Sequence, residues 1–345
     1  MSKADEIFIE MCRDILENGT DTQGEAVRAK WPDGSPAYTI RIFGQAHTYD
    51  LAKEFPIMTL RKTALKSATD EMLWIYQKKS SNTGNLKSHV WDEWADESGS
   101  IGKAYGYQIA EKYLYKGVSE EGLDKAFPGW KKEAKEDTIE YSYVPGPGAA
   151  PLEERYKSGT DAYERIGTPD IIYNKADKTA LMDQMNKVIY DLKINPFSRR
   201  IMTTTWNVAE LKDMHLEPCA YSMTYNVVKT PGDDKLTLNA VLNQRSQDML
   251  AANNWNIVQY SVLVHMLAQV CDMHVGKLLH VIADCHVYDR HVDAIKELMG
   301  RTPLPAPAFH LNPDIKDFYD FTSADVSVEG YEVAGEQIKD IPIAV

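Results

Sequence analysis

A mixed fold of helices and strands in one large domain is the class the sequence predicts, and three features carry it. Residues 3–18 and 63–79 place apolar side chains at helical spacing: Ile7, Phe8, Met11, Ile15 and Leu16 in the first, Leu65, Met72, Leu73 and Ile75 in the second. Segments 37–43, 220–228 and 235–242 alternate apolar and polar residues, as half-buried strands do. Segment 257–273 is apolar nearly all round, the pattern of a helix buried on every side. At 345 residues the chain can bury a large core in one domain, or in one domain carrying a sizeable insertion.

Composition excludes several classes. Hydrophobic residues make up 43% and charged residues 26%, and no apolar run is long enough to span a bilayer. MSKADEIFIE lacks the basic, apolar and small-residue zones of a signal peptide. Cys12, Cys219, Cys271 and Cys285 are too few and too scattered for a disulfide scaffold, so free thiols in a reducing cytoplasm are expected. A net charge of −13 argues against a general nucleic-acid binder, which needs a basic face. An acidic protein can still hold an anionic small molecule where a few arginines converge. Arg28, the Arg199–Arg200 pair and Arg245 are therefore informative.

In chain order, the helix at 3–18 can end at Gly19, and WPDGSP at 31–36 is a turn before the strand at 37–43. Arg28 lies in the loop ahead of that strand, either solvated or binding. Glu71 sits beside the apolar face of the helix at 63–79. A carboxylate there is costly to bury unless partnered, so it lies at the rim or has a function. Segment 90–109 is rich in aromatics, and Trp91, Trp94, Tyr105 and Tyr107 serve either as core or as the wall of a pocket for a flat ligand.

Residues 113–178 are charged, contain VPGPGAAP and show weak periodicity, which predicts an insertion forming a small lobe or cover. A helix follows over 180–194, stopped by Asn195–Pro196, and 198–208 opens with Arg199–Arg200 and continues as a strand. Two adjacent like charges are tolerated on a solvated edge or when an anion neutralises them.

The stretch 216–260 organises the rest. Cys219 follows a proline, PGDD turns the chain between the two strands, and Arg245, Ser246, Asp248 and Asn256 come after the second. His265 and Cys271 on the buried helix read as core. The strand at 277–291 ends in Asp284, Cys285, His286, Tyr288 and His291, but the paired spacing of a zinc site is missing and no metal is expected. The tail from Pro313 closes with apolar IPIAV, docked or disordered.

PIMTLRK at 56–62, DEMLWIY at 70–76, VWDEWAD at 90–96, NPFSRRI at 195–201, EPCAYS at 217–222, QRSQD at 244–248, NNWNI at 253–257, DCHVYDRH at 284–291 and the closing IAV stand in this order along the chain. By these motifs the sequence resembles the folate-dependent thymidylate synthases over nearly its whole length apart from 113–178. The resemblance implies an α+β fold, a large mixed sheet with helices on one face, and a homodimer with its two sheets back to back. It also implies reductive methylation of dUMP to dTMP, with 5,10-methylenetetrahydrofolate as donor of carbon and hydride and dihydrofolate as product.

The uracil ring is a poor nucleophile at C5, and addition of a thiolate to C6 makes it one. Cys219 matches the family nucleophile, and Arg245 the arginine that supports the thiolate and holds the phosphate. By the same comparison Arg28 and Ser246 contact phosphate within the subunit, while Arg199 and Arg200 reach the partner's phosphate. Asn256 reads the uracil edge, donating to O4 and accepting from N3–H, where an aspartate would suit cytosine. His286 and Tyr288 hold the ribose hydroxyl. Glu71 organises waters and protons near O4, and Tyr105 assists loss of the C5 proton. Trp91, Trp94, Ala252 and Val345 line or close the folate site, and Asp248 stands between dUMP and the pterin.

Some positions depart from the commonest family pattern. Ala220 follows Cys219 where many members carry His. AANNWN at 251–256 replaces L-G-x-P-F-N, with Ala252 for glycine and Trp255 for Phe. Arg61–Lys62 inverts the usual order. Three rivals remain at this point: a pyrimidine hydroxymethylase in which water captures the methylene, a nucleotide- or RNA-binding protein without catalysis, and a zinc hydrolase using Cys285 and His286. Trp91 and the apolar tail favour hydride transfer, and the intact set Cys219, Arg245, Glu71 and Asn256 favours catalysis.

Overall fold

The computed structural model describes residues 2–339 and 341–345. Helix α1 (Lys3–Asn18) leads into strands β1 (Thr20–Asp21) and β2 (Thr39–Asp50), then helices α2 (Leu65–Tyr76) and α3 (Gly106–Ala110). Residues 112–183 carry β3 (Lys112–Lys116), α4 (Glu120–Ala126), β4 (Lys131–Ala134), β5 (Thr138–Ser142), α5 (Leu152–Arg155), α6 (Asp161–Glu164), β6 (Ile171–Asn174) and β7 (Thr179–Asp183). Then follow α7 (Gln184–Ile194), β8 (Met202–Thr204), β9 (Ala220–Lys229), β10 (Leu236–Gln244), β11 (Gln247–Asp248) and α8 (Asn253–Val270). The chain closes with β12 (His274–Tyr288), α9 (Val292–Met299), β13 (Ala308–Leu311) and β14 (Val326–Glu329).

Among the described residues seven strands make the main sheet, in the order β1-β2-β12-β10-β9-β8 with β11 beside β12. β12 runs parallel to β10 and antiparallel to β2, so the sheet is mixed. Parallel pairing of sequential strands needs a crossover, and α8 supplies it. Leu278, His280 and Ile282 alternate inward along β12 beneath α8. On that helix Val262, Leu263, Val264, Met266 and Leu267 are all fully buried. Each such side chain contributes about 1.5–3 kcal/mol relative to an exposed one. α2 packs on α8 and α1 on β2, while Val241, Leu279 and Val281 on the other face stay half-buried in the single chain. Phe43, next to the positive-φ Gly44, is 90% exposed.

Residues 112–183 build a second sheet, antiparallel throughout, in the order β3-β7-β6-β5-β4. Lys112 pairs with Asp183, so the segment leaves and re-enters the body at one place.

Some boundaries differ from the sequence reading. The helix expected over 180–194 starts at Gln184, because residues 179–183 pair with both β3 and β6. Asp183 then caps the helix, its carboxylate accepting the Asn186 N–H at 2.9 Å. The strand expected over 198–208 shrinks to Met202–Thr204, the part that pairs with β9. β2 runs past the expected 43 to Asp50, and Gly44 at a φ of 73° lets it bend on the way.

Candidate active site

Antiparallel pairing of β9 with β10 sets Ala220 opposite Gln244, which brings the start of one strand to the end of the other. The Arg245 N–H donates to the Cys219 carbonyl at 2.9 Å. The guanidinium wraps the turn ahead of the cysteine, Nε donating to Pro218 O at 3.1 Å and Nη2 to Glu217 O at 2.7 Å. From the far side the Cys219 N–H donates to Tyr105 Oη at 3.1 Å. Tyr105 holds a φ of 44°, an unusual backbone for a bulky residue, at the head of α3. Its neighbour Gly106 passes Ser80 so closely that a Cβ would lie 2.1 Å from the Ser80 carbonyl oxygen. Burial pushes the Cys219 thiol up, and Arg245 and Arg28 only partly offset it. Alone, the chain therefore holds Cys219 mainly as the thiol.

Arg28, Arg41, Arg245, Ser246, His286 and Tyr288 line one cleft of about 770 Å³. Arg41 was not singled out by the sequence, although β2 sets it directly opposite His286 on β12. It pairs with Asp284 at 3.2 Å, and Asp284 also accepts from His286 Nδ1 at 2.8 Å. That bond fixes the imidazole and leaves Nε2 without a partner among the described residues. Arg199 and Arg200 are exposed and lie outside this cleft, Arg200 lining a separate hollow with Tyr113 and Lys187.

Asn256 stands on the first turn of α8 and is gripped from both sides. Gln244 Nε2 donates to its Oδ1 and its Nδ2 donates to Gln259 Oε1, each at 3.2 Å. Gln244 Oε1 in turn meets His280 Nε2 at 2.8 Å. Burial lowers His280 to about 3, so its ring is neutral, and because Gln244 Nε2 already donates to Ser246 O and Asn256 Oδ1, His280 Nε2 donates to Gln244 Oε1. This chain of amides fixes which end of Asn256 donates.

Glu71 is 5% exposed on α2, and its Oε2 accepts the Trp255 indole N–H at 2.8 Å. Burial raises its pKa against the opposing pull of Trp255, Trp91 and Gln259. Trp91 is buried edge-on to Tyr105 and Trp94, with ring centroids 5.0 and 5.5 Å apart.

Asp248 receives the N–H groups of Leu250 at 2.8 Å and Ala251 at 3.1 Å, in the loop that Ala252 joins to α8. Burial opposes its ionisation, but His291, His286 and the Ala251 N–H outweigh that and lower its pKa. His291 lies 3.8 Å from Asp248 through Nδ1 and bonds the Pro342 carbonyl through Nε2 at 2.8 Å. The tail is thus docked. Val345 and Lys30 exchange both backbone hydrogen bonds, at 2.8 and 3.0 Å. A further cavity of about 510 Å³ lies beside the second sheet, but its Lys78, Lys79 and Lys112 ammoniums already bond within the chain.

The structure therefore clusters Cys219, Tyr105 and Arg245, opens the arginine cleft next to them, and ties Glu71 through Trp255 to the first turn of α8, which carries Asn256. The model of the thymidylate synthase family matches residues 6–345. A thymidylate synthase of Bacillus mojavensis is 33% identical over 336 residues, 96% of each chain. Thymidylate synthase 1 of Bacillus subtilis strain 168 is 31% identical over 347 residues, covering 99% of this chain and all of the relative. The solved structure of a thermostable thymidylate synthase A from Bacillus subtilis superposes with a TM-score of 0.73 and 32% identity, covering 99% of each chain. The α+β fold with its mixed sheet agrees with that structure, and the chain belongs to the thymidylate synthase family.

Proposed function

We propose that the cleft beside Cys219 is where this chain, like its family, converts dUMP to dTMP. One observation carries the assignment: a cysteine bracketed by Arg245 and Tyr105 at the edge of a cleft lined by three arginines. The arginines receive the phosphate dianion through charge-assisted bonds, with Ser246 beside them. Arg245 and Arg28 favour ionisation of the partly buried thiol, whose sulfur adds to C6 of the uracil and makes C5 nucleophilic. Glu71 and Tyr105 handle protons near O4 and C5, and elimination of the sulfur restores the cysteine. His286 and Tyr288 hold the ribose.

Methylenetetrahydrofolate, when bound, supplies the carbon and the hydride. The residues present suit a polar ligand: Arg61 Nη1 is buried without a hydrogen-bond partner among the described residues. Trp91 and Trp94 offer the flat wall, Asp248 an ionised acceptor, Ala252 the loop floor, and Val345 the cover that excludes water.

The exposed Arg199 and Arg200 serve the partner subunit's phosphate in a homodimer. The half-buried apolar face of Val241, Leu279 and Val281 supports that assembly. Residues 113–178 form a lobe appended to a single domain, and the acidic, thiol-bearing chain works in the cytoplasm. No helix among the described residues is long and apolar enough to cross a membrane.

Base reading by Asn256 gives a direct test. Asn256→Asp is expected to narrow the preference for dUMP over dCMP by on the order of tenfold to a hundredfold. The measurement is kcat/KM with each nucleotide. An unchanged preference would show that the base is read elsewhere.

A further inference from the structure

We infer that Trp255 is a positioning residue for Glu71, an indole clamp that keeps this buried carboxyl oriented and more easily ionised than its site would otherwise allow. The inference rests on the reading of Glu71 as part of the catalytic set. α2 and α8 pack against each other, and the first turn of α8 presents Trp255 to Glu71 and Asn256 to the neighbouring amides. Glu71 has almost no contact with water, so solvation does little for its charge. The indole N–H can only donate, and a donor at 2.8 Å stabilises a carboxylate more than a neutral acid.

The other groups facing Glu71 are few. Trp91 and Gln259 also favour the carboxylate, Asp70 on the same helix opposes it, and Tyr105 feels its charge. Phenylalanine, the commoner residue at this point of the pattern that the sequence resembles, fills similar space but offers no donor. Trp255 therefore adds a hydrogen bond to the site where the common pattern has only bulk.

Trp255→Phe removes the donor and keeps most of the ring. The expected result is a move of the Glu71-dependent limb of the kcat–pH profile to higher pH, by about one unit, because loss of a donor to the charged form raises a carboxyl pKa. The KM for dUMP is expected to stay within about twofold, and Trp255→His, which retains a ring N–H, to restore part of the profile. A pH profile identical to that of the unaltered enzyme overturns the clamp. Glu71→Gln, run in parallel, separates the two claims. Full turnover in Glu71→Gln removes Glu71 from catalysis, whereas an inactive Glu71→Gln beside an unshifted Trp255→Phe removes only the clamp. Where Trp255→Phe does not fold, the nitrogen-labelled indole of the unaltered protein carries the test. Its resonance must follow the titration of Glu71, and a pH-independent signal contradicts the clamp.

Discussion

Cys219→Ala is expected to reduce turnover by on the order of ten-thousandfold or more, to a level set by the remaining binding groups. The fold should survive. Cys219 precedes β9, is only partly buried, and contributes backbone hydrogen bonds to Tyr105 and Arg245 that alanine keeps. The arginine cleft is untouched by the change, so dUMP should still bind. The checks are kcat, circular dichroism and calorimetric titration with dUMP. Retained turnover would remove the thiol from the mechanism, and lost dUMP binding with an intact fold would mean that the sulfur matters more for recognition than for bond making.

Arg199→Ala and Cys219→Ala, each nearly inactive alone, are expected to recover about a quarter of normal activity when unfolded together and refolded as an equal mixture. Random pairing makes half of the dimers mixed, and each mixed dimer holds one site with both its cysteine and its partner's arginine. The structure motivates the test directly: Arg199 and Arg200 are exposed and lie outside their own chain's cleft. Charge-assisted contacts to a phosphate dianion are strong enough that losing one should raise KM for dUMP so far that little turnover remains at the dUMP concentration saturating the unaltered enzyme, where the mixture is assayed. Recovery near zero, with mixed dimers demonstrated by a size tag, would show that these arginines serve only their own chain or none.

Periodicity made much of the fold legible. The all-apolar run of α8, the helical stripe of α1 and the alternation of β9 and β10 each reflect one kind of burial, and each appears where expected. Residues 180–183 misled because three apolar residues, Ala180, Leu181 and Met182, just before a helix read as its first turn, and only pairing with β3 and β6 makes them a strand. In the site, Cys219 and Arg245 stood out as chemical types, and the strand pairing brings them together. Arg41 did not, since its meaning comes from lying across the sheet from His286. The His280–Gln244–Asn256 relay was also invisible, because an inward histidine on a strand looks like any buried polar residue until its partner is seen. His291 reads as one more polar residue at a strand end, yet it joins Asp248 to the docked tail.

The most direct measurement incubates the enzyme with dUMP and methylenetetrahydrofolate, follows dihydrofolate by absorbance, and identifies the nucleotide product by mass. dTMP and dihydrofolate are expected in equal amounts, with hydride delivered in a site closed by the docked tail. Hydroxymethyl-dUMP with tetrahydrofolate would contradict that expectation: water would then be reaching the methylene past Trp91 and Val345.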